Sequence, residues 1–373
     1  MIRVGVLTSS RADYGIYLPL LKALNSDPAF ELRLIVFGTH LSKFHGYTLE
    51  EIERDGFEIS AQIESLLLGD TPNAIASAFG LTALKFSDFW NTHKIDFDVI
   101  FALGDRFEMA AAVLAAVPFG IPIAHLHGGE TTLGAIDNIY RHTISLSAKY
   151  HFTSTTNFAE RINALLNNQE AIIEVVGSLS LENLQQLNLL TIPEFKEKWN
   201  IDLTTETILI TVHPETVDFQ KNEQYAVQTF NALKNLANSY QLVITMPNAD
   251  TAGLIYREKF LNLANQFSSV KIIENFGTQS YFTCMKYAKL LIGNTSSGII
   301  EAASFNKYVI NLGDRQKGRL CSPNIINIPF DENAIVEKTK QFITQIYSGE
   351  NIYFKENPSQ IVVNRLKKIY GTL

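Results

Sequence analysis

The chain has 373 residues, of which 46% are hydrophobic and 18% charged, a composition typical of a globular protein with sizeable cores. The net charge of −7 and the lack of a Lys/Arg block exclude nucleic acid and an anionic membrane as expected partners. No apolar run reaches the roughly 18 residues of a membrane span, and the first residues have no signal-peptide layout. The two cysteines have no metal-binding spacing. We therefore expect a cytoplasmic protein with no metal site.

Strands and helices alternate along the first half of the chain. The apolar runs that predict buried parallel strands are residues 2–7, 32–37, 98–103, 121–124, 150–153 and 172–176. Helical patterns follow Gly15 and recur at 71–90, 107–117, 137–148 and 158–166. This alternation predicts a doubly wound parallel sheet over residues 1–177.

A second series of strands and helices follows a helical connection. Its predicted strands are residues 207–212, 241–246, 270–274, 289–292 and 308–311. We therefore expect an α/β protein with two Rossmann-like doubly wound domains, 1–177 and 178–355, facing a central cleft that is the default site. The tail, 356–373, is predicted to carry a helix, and its packing back onto the N-terminal domain is one option that the sequence leaves open.

The first strand-to-helix turn, Thr8–Gly15, lacks the glycine fingerprint of a dinucleotide site. An arginine and an acid stand there instead, which disfavours a nicotinamide cofactor. Arg11 is suited to clamp a phosphate, but an exposed loop arginine fits the same pattern equally well.

Titratable residues gather just past the predicted strand 121–124. They are His125, His127, Glu130, Asp137 and Arg141. In open α/β sheets, ligands bind at the carboxyl ends of strands. A helix is predicted to begin near Asp137, which places Arg141 one turn later on the same face. Each residue alone fits loop polarity, a helix cap or a surface ion pair, whereas the cluster favours a site.

Four strand ends in the second half also carry polar clusters, at 212–216, 246–250, 292–298 and 311–319. The third cluster leads into a predicted helix at 299–305, where hydroxyl residues at a helix N-terminus suit an anion or serve as a plain cap. Arg315 would complete a diphosphate clamp without a metal. Glu301 would accept two ribose hydroxyls or be a surface residue.

Taken together and in order, several motifs resemble those of the hydrolysing UDP-N-acetylglucosamine 2-epimerases. They are Ser10–Gly15, Leu103–Arg106, the H-x-H-G-G-E run 125–130, Ile136–His142, His213-Pro214, Gly293–Gly298 and Gly313–Arg319. The resemblance extends from near residue 2 to about residue 320. It implies a GT-B-type fold, UDP held mainly by the second domain, and conversion of UDP-N-acetylglucosamine and water to N-acetylmannosamine and UDP, toward sialic acid. We expect no cofactor, and a homo-oligomer that is a dimer or a tetramer.

The resemblance also implies roles for individual residues. Those assigned to UDP are Arg11, His213, Asn248, the backbone at Phe276, Thr295, Ser296, Ser297, Glu301 and Arg315. Those assigned to the sugar are Asp105, Asp137 and Arg141, with Arg106 beside them. The sequence departs from the family where many relatives have H-x-E and this chain has His125-Leu126-His127. The role of that glutamate then passes to His127 or Glu130. Thr295 for the usual serine keeps the hydroxyl.

The implied mechanism eliminates UDP across C1–C2 to give 2-acetamidoglucal, which water then converts to the manno sugar. It requires proton-transfer groups on opposite faces of the ring, for which we select Asp105 and Asp137, with His127 or Glu130 as the third. Three alternatives stay open. They are the same chemistry on a UDP-2,4-diacetamido-trideoxy sugar used for legionaminic acid, a GT-B glycosyltransferase, and a non-enzymatic sugar-nucleotide sensor.

Overall fold

The computed structural model describes residues 1–45, 47–67, 69, 71–133, 136–167, 171–215, 219–247 and 253–371. The chain forms two compact units. The first comprises Met1–Glu130, Asp137–Asn183 and Tyr353–Leu373, and the second comprises Thr131–Ile136 and Leu184–Ile352. The main division falls at 183/184 rather than at 177/178, because Asn183 donates a hydrogen bond to the Gly15 carbonyl (3.0 Å) and Glu182 contacts the C-terminal helix.

The first unit is built on a sheet of parallel strands. In the described residues the strand order is β3-β2-β1-β4-β5-β6-β7. The strands are β1 (Ile2–Thr8), β2 (Phe30–Phe37), β3 (Ile59–Ile63), β4 (Val99–Leu103), β5 (Ile123–Leu126), β6 (Tyr150–Thr153) and β7 (Ile172–Val175). The helices that accompany them are α1 (Arg11–Ser26), α2 (Leu49–Arg54), α3 (Pro72–His93), α4 (Phe107–Ala116), α5 (Asp137–Ser147), α6 (Thr156–Leu165) and α7 (Leu179–Gln186).

Both faces of this sheet are covered, as its continuous apolar strands require. Along β2, Leu34 and Val36 join one core and Ile35 and Phe37 join the other. The alternation follows from the period-2 geometry of a strand.

The second unit repeats the arrangement with the strand order β10-β9-β8-β11-β12-β13 in the described residues, all parallel. Its elements are α8 (Ile192–Trp199), β8 (Thr207–Thr211), α9 (Asn222–Leu236), β9 (Gln241–Thr245), α10 (Gly253–Gln266), β10 (Val270–Ile273), α11 (Gly277–Tyr287), β11 (Leu290–Gly293), α12 (Ser296–Ile300), β12 (Val309–Leu312), β13 (Ile325–Ile328) and α13 (Glu332–Phe342). The two doubly wound α/β units predicted from the sequence are confirmed.

The last helix, α14 (Pro358–Ile369), belongs to the first unit. Its Val362, Val363 and Leu366 lie in the core formed by α1 and the sheet. The Glu182 carboxylate accepts hydrogen bonds from Ser359 N (2.8 Å) and Ser359 Oγ (2.6 Å), so a side chain from α7 satisfies the first turn of α14.

Several elements differ from the sequence expectation. α1 begins at Arg11, inside the predicted turn Thr8–Gly15, because Ser10 and Asp13 form a capping box there. α2 and the edge strand β3 lie in a polar stretch for which the sequence predicted no defined element. The helix predicted at 299–305 is instead the short α12, followed by a 3₁₀ turn at Ala302–Phe305. The edge strand β13 was not predicted, because its apolar run is short and a polar Asn327 interrupts it.

Each sheet reverses its strand order once, between β1 and β4 in the first unit and between β8 and β11 in the second. In doubly wound folds, ligands bind beyond the carboxyl ends of the strands at such a reversal. The polar clusters found in the sequence follow these strands directly.

Candidate active site

Asp105 and His127 lie just beyond the carboxyl ends of β4 and β5 in the first sheet. β4 and β5 are neighbours in register, with Leu103 opposite Leu126, and Gly104 N donates to the Leu126 carbonyl at 3.1 Å. The two residues therefore lie at neighbouring strand ends, as the sequence pattern predicts.

Asp105 forms an ion pair with Arg141 on α5. The Arg141 side chain is 3% exposed and that of Asp105 is 25% exposed, so the carboxylate stays accessible while the guanidinium is enclosed. The sequence placed Arg141 beside Asp137, and this pairing with a residue 36 positions earlier could not be read from helix spacing. Asp137 itself is partly buried and is the first residue of α5.

His125 supports the turn that carries Asp105. Its Nε2 lies 2.9 Å from the Gly104 carbonyl oxygen, and its Nδ1 lies 3.0 Å from Ser145 Oγ on α5. Burial lowers its pKa to about 3, so the imidazole is neutral near pH 7. His125 therefore links β4, β5 and α5 through hydrogen bonds.

His127 and Glu130 form a buried pair. His127 Nδ1 lies 2.9 Å from Glu130 Oε1, and Ser154 Oγ donates to the same carboxylate at 3.2 Å. The Nε2 of His127 is buried and makes no hydrogen bond to the residues that the structure describes. His127 has φ +61°, a left-handed conformation that is uncommon for a non-glycine residue and is enriched at functional sites. One ring nitrogen is thus held by Glu130, and the other is enclosed without a hydrogen-bond partner among those residues.

The Gly-Gly step after His127 is required by close packing. Gly129 has φ +79°, and a Cβ there would overlap the carbonyl oxygen of Phe158. The Gly129 carbonyl accepts a hydrogen bond from Arg161 at 2.9 Å. These contacts fix the turn that leads to Glu130.

Both candidate arginines of the first unit, Arg11 and Arg106, are exposed. Arg11 is the first residue of α1. Arg106 has a side chain that is 44% exposed, and it pairs with the buried carboxylate of Glu108 at 2.7 Å, which raises the pKa of Arg106 above its ordinary value.

In the second unit, Asn294 fastens the end of β11 to the segment after β8. His213 N donates to Asn294 Oδ1 at 2.7 Å, and Asn294 Nδ2 donates to the His213 carbonyl at 2.9 Å. The preceding Gly293 has φ +150°, and a Cβ there would overlap the Thr211 carbonyl oxygen. The hydroxyl residues follow this junction, with Thr295 capping α12 and Ser296 exposed.

The loop after β12 also contacts the segments that follow β8 and β11. Arg315 Nη1 donates to the Pro214 carbonyl at 2.8 Å, and Gln316 Nε2 donates to the Asn294 carbonyl at 2.8 Å. Glu215 Oε1 accepts a hydrogen bond from Asp314 N at 2.5 Å. The contributions of Gln316 and Glu215 were not predicted, since each acts through a backbone group of a distant segment.

The remaining sequence candidates have varied surroundings. Glu301 is 5% exposed and directly follows α12, so it is not the surface residue of the alternative interpretation. Phe276 precedes α11, and its ring packs on Phe195 and Trp199. Asn248 lies outside the described residues, as do Thr216, Ala249 and Asp250 of the predicted clusters.

Among the residues that the structure describes, no group of three or more His, Cys, Asp or Glu side chains is arranged to hold a metal ion. In that same part of the chain, no helix combines the length and apolarity needed to cross a membrane.

A family model described as UDP-N-acetylglucosamine 2-epimerase matches residues 22–367. The chain belongs to this enzyme family. The motif resemblance seen in the sequence is therefore confirmed.

Two curated relatives carry different names. The chain is 32% identical over 362 residues to the polysialic acid biosynthesis protein P7 of Escherichia coli, covering 96% of this chain and 91% of that protein. It is 35% identical over 326 residues to the GDP/UDP-N,N'-diacetylbacillosamine 2-epimerase (hydrolyzing) of Campylobacter jejuni. This match covers 87% of this chain and 84% of that protein.

The fold is that of the family's solved structures. The UDP-GlcNAc 2-epimerase from Neisseria meningitidis, in a structure bound to UDP-GlcNAc, superposes with a TM-score of 0.82 at 18% identity and covers 98% of this chain and 100% of that one.

Proposed function

We propose that this family member is a hydrolysing UDP-N-acetylglucosamine 2-epimerase, which converts UDP-N-acetylglucosamine and water to N-acetylmannosamine and UDP. The observation that carries the proposal is the His127–Glu130 pair at the strand end next to the Asp105–Arg141 ion pair. A protein that only binds a sugar nucleotide gains nothing from clustered proton carriers, whereas elimination and hydration require them.

The proton-transfer roles follow from the chemistry at C2. The C2 proton is barely acidic, so its removal requires a positioned base. Its replacement on the other face requires a second group. We assign these roles to Asp105 and Asp137. Arg141 donates to the Asp105 carboxylate and holds it in place. His127 supplies the third group.

The second unit is assigned to the leaving group. UDP departs readily when its charge is neutralised in the transition state. We assign that task to Arg315 with the hydroxyls of 295–297, and the ribose to Glu301. His213 and the backbone at Phe276 would complete this contact set, together with Asn248 of the undescribed segment. Arg11 and Arg106 are also assigned to the UDP-sugar, as the family resemblance implies.

One alternative substrate has specific support. The Campylobacter relative is named for a diacetylbacillosamine sugar, and the Escherichia relative is named for polysialic acid. Both kinds of UDP-sugar share the UDP end and the C2 amide on which the assigned residues act. We propose UDP-N-acetylglucosamine as the substrate, in a sialic acid pathway, and the 2,4-diacetamido sugar of legionaminic acid synthesis as the second candidate.

We propose that the enzyme is located in the cytoplasm. Cys284 and Cys321 are free thiols, which suits a reducing compartment. We also expect a homo-oligomer, which sedimentation of the purified protein measures directly.

The decisive experiment supplies each UDP-sugar alone, in D₂O, and follows UDP release and the sugar product by NMR. We expect UDP and N-acetylmannosamine carrying deuterium at C2 from UDP-N-acetylglucosamine. Asp105→Asn should slow turnover at least ~10²-fold while UDP affinity stays near that of the wild type. Release only with the diacetamido sugar selects the second candidate. Release only with an added acceptor, or protium fully retained at C2, contradicts the proposed reaction.

A further inference from the structure

The turn after β1 presents Arg11 without the glycines that usually allow a phosphate to approach the backbone. β1 ends at Thr8, Ser10 caps α1, and Arg11 is the exposed first residue of that helix. The turn lies beside β4, where the strand order reverses. A phosphate-binding turn at this place ordinarily offers free backbone N–H groups.

Here the carboxylate of Asp13 already engages those N–H groups. It accepts hydrogen bonds from Ser9 N at 3.0 Å and Ser10 N at 3.1 Å, and from the hydroxyls of Ser9 (2.7 Å), Ser10 (3.2 Å) and Thr8 (2.5 Å). Asp13 is 5% exposed. A second anion would meet occupied donors and a buried negative charge. At this turn the N–H groups of Ser9 and Ser10 are therefore not available to an anion, and the exposed Arg11 offers a charged side chain instead.

His40 extends the network from the segment after β2. Its Nε2 lies 2.9 Å from Thr8 Oγ1 and 3.9 Å from Asp13 Oδ1, and its Nδ1 lies 2.7 Å from Thr48 Oγ1. The ring is fully buried. Burial acts to raise the pKa of Asp13, but the nearby His40 and the hydroxyl donors outweigh it, so this pKa lies below its ordinary value. The network therefore holds an ionised carboxylate under the turn.

We propose that Asp13 and His40 are positioning residues that fix the turn so that Arg11 points its guanidinium at the diphosphate of the UDP-sugar. The other side of the turn is fixed too, because the Ser9 carbonyl accepts a hydrogen bond from Thr39 N at 2.8 Å. The inference rests on the proposed function, in which Arg11 contacts UDP. It adds that the alignment of this arginine depends on a buried carboxylate and imidazole that touch no substrate.

The test is a double-mutant cycle on UDP affinity, measured by calorimetry. Arg11→Ala should weaken UDP binding about 10- to 100-fold, as loss of a charge-assisted contact does. Asp13→Asn places an amide N–H₂ against backbone donors and should weaken UDP binding about 3- to 30-fold, with kcat changed less than KM. In the Arg11→Ala background, Asp13→Asn should change the affinity less than about twofold. Asp98→Asn is the matched control, because Asp98 accepts three hydrogen bonds from Arg3 in the same unit. This substitution should lower stability and leave UDP affinity unchanged.

Two variants of His40 keep the test decisive if Asp13→Asn does not fold. His40→Gln retains a donor near the Nε2 position that faces Thr8, whereas His40→Asn retains a group near Nδ1 that faces Thr48. We expect near-normal UDP affinity with glutamine and an affinity loss with asparagine. If His40 had a purely structural role, the UDP affinity of His40→Gln would not exceed that of His40→Asn.

The inference is overturned if Asp13→Asn costs as much affinity without Arg11 as with it, if Arg11→Ala binds UDP normally, or if the two His40 variants bind UDP equally well. The proposed function is judged separately, by whether the wild-type enzyme releases UDP from UDP-N-acetylglucosamine. Failure of one is therefore distinguishable from failure of the other.

Discussion

At the residue scale, His127 and Glu130 have different surroundings although their side chains are hydrogen-bonded to each other. Glu130 is engaged by the imidazole and by Ser154, whereas His127 has its Nε2 without a protein partner among the described residues. A group that moves a proton must be within reach of the substrate. We propose His127 as the proton carrier and Glu130 as the residue that orients its ring, because Glu130 already holds Nδ1.

This division predicts unequal effects of substitution. His127→Ala should lower kcat at least ~10²-fold with UDP affinity unchanged. Glu130→Gln keeps an oxygen acceptor for Nδ1 and should lower kcat only about 3- to 30-fold. Steady-state kinetics with the preferred UDP-sugar measures both. A larger loss in Glu130→Gln than in His127→Ala would reverse the two assignments.

At the scale of single elements, α12 changes the basis of the predicted phosphate site. A helix that ends at Ile300 contributes little dipole, so a phosphate bound here would depend on hydroxyls, backbone N–H groups and the loop after β12. That loop is held to the end of β8 by the bond from Arg315 to Pro214 and to the end of β11 by the bond from Gln316 to Asn294.

Arg315→Ala should therefore weaken UDP binding by ~2–4 kcal/mol, because a charge-assisted contact and a tie between two loops are lost together. Lys317→Ala is the matched control in the same loop, since its side chain is 61% exposed and pairs with Asp314. Calorimetric titration with UDP compares the two. Wild-type affinity in Arg315→Ala would remove this residue from the clamp.

At the scale of the whole molecule, two buried histidines make the folded first unit sensitive to acid. Burial lowers the pKa of His125 to about 3 and that of His151 to about 4, both below the ordinary value of 6.5. Between these pKa values and 6.5, the two histidines are therefore protonated in the unfolded chain and neutral in the folded chain. The free energy of unfolding is not reduced by these histidines above pH ~6.5. It decreases as the pH falls toward 4, by up to roughly 3 kcal/mol for each histidine.

We expect the urea midpoint to fall as the pH is lowered from 7 to 5, and His151→Leu to show a shallower fall than the wild type. Phe152→Leu is the matched control, because Phe152 is equally buried on the same strand and does not titrate. This control should be less stable at every pH with the wild-type slope. A wild-type slope in His151→Leu would mean that His151 does not set the acid sensitivity.

The two doubly wound units and the places where polar residues gather could be predicted from the amino-acid sequence alone. Buried parallel strands are nearly continuous apolar runs, and their carboxyl ends share one edge of a sheet. Residues such as Asp105 and His127 could therefore be placed at neighbouring strand ends from their position after a strand.

The pairing of these residues and the ends of some elements became apparent only from the three-dimensional packing. Arg141 contacts Asp105, 36 residues away, and Gln316 contacts Asn294 through a backbone carbonyl. Such contacts depend on strand register and on the packing of helices against the sheet, which spacing along the chain does not encode. The end of α12 at Ile300, followed by a 3₁₀ turn at Ala302–Phe305, was likewise not apparent from the sequence.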